Sequence, residues 1–102
     1  MTIERIETVY GPMHVPDTDT HQYGWLKNAG VSSEDLWIRE CCGLLREVPP
    51  GVSLDVGACF GCWSLPLSQV STKVIAIEPQ WDLYKLLTKT LADHDRFEVI
   101  NA

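Results

Sequence analysis

Basic residues are scarce in this chain: eight Lys and Arg stand against fourteen Asp and Glu over 102 residues, a formal charge of −6. A surface that grips phosphates needs a basic patch or stripe, so nucleic acid is not expected as a partner. Long apolar runs are lacking too. None approaches the ~20 residues that span a bilayer, so no membrane partner is expected. The first residues, Met1-Thr2-Ile3-Glu4-Arg5-Ile6-Glu7, mix charge with apolar side chains instead of running from a charged segment into an apolar one. The expected location is cytoplasmic. Internal repeats and low-complexity tracts are also missing, which excludes a repeat array. What remains is ordinary: 45% hydrophobic and 22% charged residues, the make-up of one soluble globular domain.

Glycine is absent from two of the three positions that a dinucleotide fingerprint needs. A G-x-G-x-x-G turn beginning at Gly57 requires glycine at 59 and 62, which hold Cys59 and Cys62. The glycines fall at Gly57 and Gly61, in Ser53-Leu54-Asp55-Val56-Gly57-Ala58-Cys59-Phe60-Gly61-Cys62. An apolar strand thus runs into a small-residue turn and then a helical pattern. A second apolar strand, Val74-Ile75-Ala76-Ile77, ends on Glu78-Pro79, a carboxylate about 20 residues after the first strand, the spacing at which an acid meets a ribose diol in open α/β sheets. Glycine lets the backbone approach a ligand closely, and unpaired N–H groups at a helix start face the same crevice. The stretch reads as a nucleoside-cofactor site. The bland alternative, a tight strand-to-helix turn with Glu78 capping the next helix, leaves Asp55 an unexplained acid at a buried strand end.

Asp55-x-Gly57-x-x-x-Gly61 resembles the first turn of class I S-adenosylmethionine-dependent methyltransferases. More narrowly, Asp55-Val-Gly57-Ala-Cys59-Phe-Gly61, Ile77-Glu78-Pro79 and Val99-Ile-Asn101-Ala102 are similar to the FkbM-type members, which commonly read DVGAN-x-G, EP and N-x-A in that order. The likeness covers residues 50–102. It departs from the family at Cys59, where asparagine is usual. The resemblance implies S-adenosylmethionine as cofactor and methyl transfer to an oxygen of a small molecule or sugar. Asp55, Gly57, Ala58, Cys59, Phe60 and Gly61 would line its methionine and ribose side. Glu78 would hold the ribose hydroxyls, Pro79 would shape the turn, and Asn101 would sit near the adenine end. No residue marks itself as a catalytic base.

In chain order, residues 1–16 predict short strands around a Gly11-Pro12 turn signal. A polar break follows at 16–21, where a Thr or Asp caps a short helix through Gln22–Leu26; Asn28-Ala29-Gly30 stops it. Ser32 or Ser33 before Glu34-Asp35 caps the next helix. Its apolar positions, Leu36, Trp37, Cys41, Leu44, Leu45 and Val48, recur at three- and four-residue steps, and Trp37 is expected in the core. Pro49-Pro50-Gly51 ends it. Strand 54–56, helix 62–70, strand 73–77, a helix carrying Trp81, Leu83, Tyr84, Leu86, Leu87 and Leu91, and strand 97–100 follow. A right-handed crossover rule lays these strands side by side in the order 3-2-1. His14 and His21 read as surface or loop residues.

The fold class expected is therefore α/β: a Rossmann-like class I methyltransferase fold truncated after the third parallel strand, with a short N-terminal β/α extension. Residues 1–49 form the extension and 50–102 the first half of the cofactor domain. With its first strand left at an edge, such a sheet invites self-association. Two rival readings remain. Cys59-Phe60-Gly61-Cys62 is a C-x-x-C at a helix start, the arrangement of a thioredoxin-like redox protein. Alternatively, the half-domain is a binding module without turnover. Zinc held by Cys41, Cys42, Cys59 and Cys62 is disfavoured, since adjacent helical cysteines point about 100° apart; no metal is expected. Cys41 and Cys42 are expected to be buried as small hydrophobes.

Overall fold

The computed structural model describes residues 2–19 and 21–102. The chain begins with an antiparallel hairpin, β1 (Ile3–Thr8) and β2 (Gly11–Pro16). Ile6, Met13 and Val15 point inward and are buried, the period-2 alternation of a half-covered strand pair. The turn falls at Val9-Tyr10, ahead of the expected Gly11-Pro12. The Thr8 hydroxyl accepts from Tyr10 N at 3.1 Å and donates to Gly11 O at 2.7 Å, a local hydroxyl turn that closes the loop early. Gly11, at φ +121°, then opens β2.

Helix α1 (Gln22–Ala29) starts where Asp19 Oδ1 accepts from His21 N at 3.1 Å and Gln22 N at 2.7 Å. Thr20, another candidate cap, lies outside the described residues, as does Met1. Gly30, left-handed at φ +72°, ends α1 by donating to Leu26 O. Before α2 (Asp35–Leu45), Ser32 Oγ accepts from Glu34 N at 3.1 Å. The same region is bound by a polar network: Tyr10 Oη donates to Asp35 Oδ1 at 2.6 Å and accepts from Ser32 N, while Gln22 Oε1 takes Ser32 Oγ and Ser33 N. It ties the hairpin turn, α1 and α2 together.

The buried side of α2 differs from the sequence expectation. Ile38 and Cys42, with half-buried Leu45, pack against Val70 and Trp63. Leu36, Trp37, Cys41, Leu44 and Val48 are exposed, so neither Trp37 nor Cys41 is a core residue. Apolar side chains occupy more than one flank of this helix. Spacing alone does not decide which flank meets a neighbour.

The second part is a parallel sheet. β3 (Val52–Val56), β4 (Lys73–Ile77) and β5 (Phe97–Ile100) lie side by side in that order, with Leu54 opposite Ile75 and Ile77 opposite Ile100. The crossovers carry α3 (Ser64–Ser68) and α4 (Trp81–Leu91). α3 is shorter than expected from 62–70 and keeps Pro66 within its first turn, where the missing N–H costs least. Crossovers of one hand place both helices on one face. On that face Val74 and Ala76 are buried, and Phe97 and Val99 pack on the core. The opposite face carries Val52, Leu54, Val56, Ile75 and Ile77, with a Lys73–Glu98 ion pair at 2.9 Å near its lower end. Val52, Leu54 and Val56 are 60%, 63% and 73% exposed. Thus β3 stands at an open edge with a bare apolar face, as the sequence order implies.

The hairpin packs on α4 through β2, so α4 is held between the sheet and the hairpin. One core joins the two segments: Ile6, Met13, Val15 and Leu26 meet Phe60, Leu65, Leu86 and Leu87. Among the described residues no helix is long and apolar enough to cross a membrane.

Candidate functional site

The C-terminal ends of β3 and β4 meet at a turn that is closed by its own backbone. Gly57 N and Ala58 N both donate to Ile77 O, at 2.8 and 2.9 Å, and Gly61 N donates to Ala58 O at 3.0 Å. Three residues of this turn have positive φ: Gly57 at +78°, Cys59 at +59° and Gly61 at +109°. The two glycines serve different needs. A Cβ on Gly61 would lie 3.5 Å from Leu87 Cδ1 and 3.7 Å from Thr90 Cγ2, so this residue sits closely against α4. A Cβ on Gly57 would meet nothing within 4 Å. The backbone there faces open space between the two strand ends.

Glu78 is the centre of the site. Only 3% exposed, its carboxylate accepts from Cys59 N through Oε1 and from Gln80 N through Oε2, each at 2.8 Å. Such charge-assisted bonds to backbone N–H groups satisfy a buried acid and fix the Gly57–Gly61 turn against the start of α4. Each oxygen keeps a lone pair for a further donor. Asn101 clamps the same corner from β5, with Nδ2 donating to Glu78 O at 2.9 Å and Pro79 O at 3.1 Å. Glu78 N in turn donates to Ile100 O.

Asp55 Oδ2 accepts from Ser64 Oγ at 2.6 Å. Ser64, buried at the first position of α3, was not singled out by the sequence. The signal available was a hydroxyl residue opening the helix just after Gly61. Burial pushes the Asp55 carboxyl above its ordinary pKa, the Ser64 hydroxyl opposes this, and the Glu78 charge adds to it. An acid whose pKa is raised on folding holds its proton more tightly in the native state, so stability falls as pH rises above the ordinary value of 3.8. Asp55→Asn, which still accepts from Ser64, is expected to exceed the parent in stability at pH 7. That advantage should shrink toward pH 4, as read from urea midpoints at the two pH values.

Ala58 and Phe60 are buried, Phe60 completely, in the core shared with the hairpin. Their contribution to the crevice is main-chain. Cys59 and Cys62 are free thiols. Burial raises Cys59 to about 11, with the Glu78 charge adding, and raises Cys62 to about 12, with a bond to Ser32 opposing. A redox C-x-x-C needs a thiolate near neutral pH; these thiols are shifted the other way, and the consecutive parallel sheet is not a thioredoxin arrangement.

Cys59 also occupies a left-handed backbone position, which costs most L-residues roughly 1–2 kcal/mol and which asparagine tolerates. Cys59→Asn is expected to stabilise the chain by about 1 kcal/mol, raising Tm by roughly 4–8 °C, measurable by calorimetry. Elsewhere, His14 is half-buried on β2, its N bonded to Thr90 Oγ1, and the exposed His21 lies within reach of Ser33 Oγ. Among the described residues no group of three or more His, Cys, Asp or Glu is gathered as a metal site.

The crevice thus brings Asp55, Gly57, the main chain of Ala58–Gly61, Glu78 and Pro79 to one place, with Asn101 bracing the rim. A Cβ at Gly57 would meet nothing within 4 Å, so the main chain at the end of β3 is open to approach.

No family model and no curated protein sequence matches this chain. Among solved structures, the crystal structure of a putative RNA methyltransferase from Pyrococcus horikoshii is similar, with a TM-score of 0.57 and 20% identity. The match covers 76% of this chain and 41% of that one, so the chain spans about two fifths of that protein's length. Likeness at this identity is likeness of fold: residues 50–102 form the first three parallel strands of a Rossmann-like methyltransferase fold, with the hairpin and two helices packed before them.

Proposed function

We propose that this chain binds S-adenosylmethionine at the ends of β3 and β4 and forms the cofactor-binding part of a methyltransferase. The observation that carries the reading is the space at Gly57, open where a Cβ would stand and flanked by Asp55 and Glu78. Glu78 would receive the ribose diol while still holding Cys59 N and Gln80 N. Asp55, kept in place by Ser64, would face the ammonium end, and the Gly57–Gly61 main chain would pass beneath the methionine. Asn101 and Pro79 would shape the adenine side. When bound, the cofactor supplies an electrophilic methyl group; the residues here orient it, and alignment with the acceptor contributes most of the rate.

The FkbM-like order of motifs supports an oxygen of a small molecule or sugar as acceptor. The chain's net charge of −6 favours that class over a polyanion. Isothermal titration with S-adenosylhomocysteine tests the reading. Saturable binding by the parent, lost in Gly57→Leu, is the expected result. An unaltered titration in that variant would remove Gly57 from the site, and no heat with the folded parent would remove the cofactor assignment.

A further inference from the structure

The seam between the hairpin and α4 turns on Thr90. Its buried hydroxyl accepts from the His14 backbone N at 2.9 Å, satisfying a main-chain donor on the edge of β2 that faces away from β1. The His14 ring nitrogen Nδ1 lies 3.5 Å from the same oxygen. A hydroxyl has one hydrogen and two lone pairs. One lone pair serves His14 N, and the hydrogen can turn toward Nδ1, which accepts only while it carries no proton. On its other side, Thr90 Cγ2 stands 3.7 Å from where a Cβ on Gly61 would lie. One side chain thus stands between the hairpin and the Gly57–Gly61 turn. The charged groups acting on His14 are positive: Arg5, opposite it in the β1–β2 register, and Lys89, which precedes Thr90 on α4. Glu7, on the same side of β1 as Arg5, is paired with Arg5.

We infer that His14 and Thr90 form an acid-released latch: a proton taken up at Nδ1 raises the fraction of molecules in which β2 has parted from α4, with the parallel sheet still paired. The protonated ring presents an N–H where the hydroxyl had an acceptor. Thr90 Oγ1 then faces two donors, and its own hydrogen loses that buried partner, which is unfavourable. The imidazolium also stands beside Lys89 and Arg5. Turning the ring out to water relieves both conflicts and pulls on the backbone bond of the same residue. Burial holds His14 below its ordinary value of 6.5, and Lys89 and then Arg5 add to this. The opened form therefore binds the proton more readily, so the latch holds above 6.5 and weakens as pH falls through that value. The sheet keeps its own ladders from β3 to β5. Gly61, backed by Leu87 and Thr90, is the part of the turn nearest the seam, and acid would loosen the turn from behind. The latch requires no ligand, so it stands or falls apart from the cofactor assignment.

Amide hydrogen exchange of the full chain, followed by NMR, reads the seam directly, because the His14 N–H is itself the donor to Thr90. Protection factors remove the intrinsic pH dependence of exchange. Protection at His14 should fall severalfold from about pH 7.5 to about pH 5, either side of the ordinary histidine value. Gly61 N, bonded to Ala58 O, should fall with it, whereas Val74 N, bonded to Arg96 O in the central strand, should change less. His14→Asn offers an oxygen acceptor in place of Nδ1 and does not titrate, so protection at that position should stay level across the range. Lys89→Gln, at an exposed position, keeps the latch and should move its release to higher pH. Level protection at His14 in the parent, an equal fall at His14 and Val74, an undiminished fall in His14→Asn, or release at the parent's pH in Lys89→Gln would each overturn the inference.

Discussion

Glu78→Gln is expected to bind S-adenosylhomocysteine more than about a hundredfold more weakly than the parent and to unfold at lower urea. Both effects follow from one buried carboxylate that accepts from Cys59 N and Gln80 N. In the glutamine variant an NH₂ group faces one of those N–H donors. Leaving a buried donor unsatisfied costs about 1–3 kcal/mol, and Glu78→Ala, which orphans both, should cost about 2–6 kcal/mol on the same basis. For a domain with about 5–15 kcal/mol of stability in all, the alanine variant stays folded but marginal. The glutamine variant is therefore the one to titrate. A ribose diol donating to a carboxylate makes two charge-assisted bonds, each worth about 1.5–3 kcal/mol, which sets the hundredfold. Urea unfolding and calorimetric titration separate the two consequences. A stable Glu78→Gln with full affinity would place the ligand elsewhere.

Gly61→Ala is the second large effect, and its comparison with Gly57→Ala is more informative than either alone. Gly61 sits at φ +109°, a region that side chains rarely enter, and strain there amounts to about 2–3 kcal/mol. The added methyl finds ordinary contacts with Leu87 and Thr90, so the loss is conformational and not a clash. Affinity of the folded fraction should be nearly intact. Gly57→Ala, at φ +78° with open space around its Cβ, should lose only about 1–2 kcal/mol of stability yet bind far less ligand, because the methyl projects into the crevice. Urea midpoints and titrations on the two variants should move in opposite proportion. Equal binding losses would mean that the turn acts only through its fold.

Much of this architecture is readable in residue order. Lys73–Ile77 and Phe97–Ile100 are apolar runs between turn signals, and parallel strands buried on a face look that way; both match to the residue. The positions of Asp55 and Glu78 at adjacent strand ends follow from the same strands. Other features depend on contacts distant in sequence. Nothing local in Glu78 shows that it holds Cys59 N, nor in Cys59 that its backbone is left-handed. The helix at 35–45 carries apolar residues on two flanks, so periodicity favoured Trp37 and Leu44 where packing on α3 selects Ile38 and Cys42. The hairpin turn moved to Val9-Tyr10 because the Thr8 hydroxyl supplies a closure that the Gly-Pro signal outweighs on composition alone.

The turn at Gly57–Gly61 has a kinetic consequence. It is tied to Ile77 O, held by Glu78 and anchored by the buried side chain of Phe60. A ligand arriving at the crevice meets main chain that is already in place, with no loop left to order. Stopped-flow traces should then be single exponentials whose rate climbs linearly with ligand concentration, without the plateau of a gated step. Analogues lacking a ribose hydroxyl should associate about as fast as the parent ligand and leave sooner, since affinity differences at a preformed site reside chiefly in dissociation.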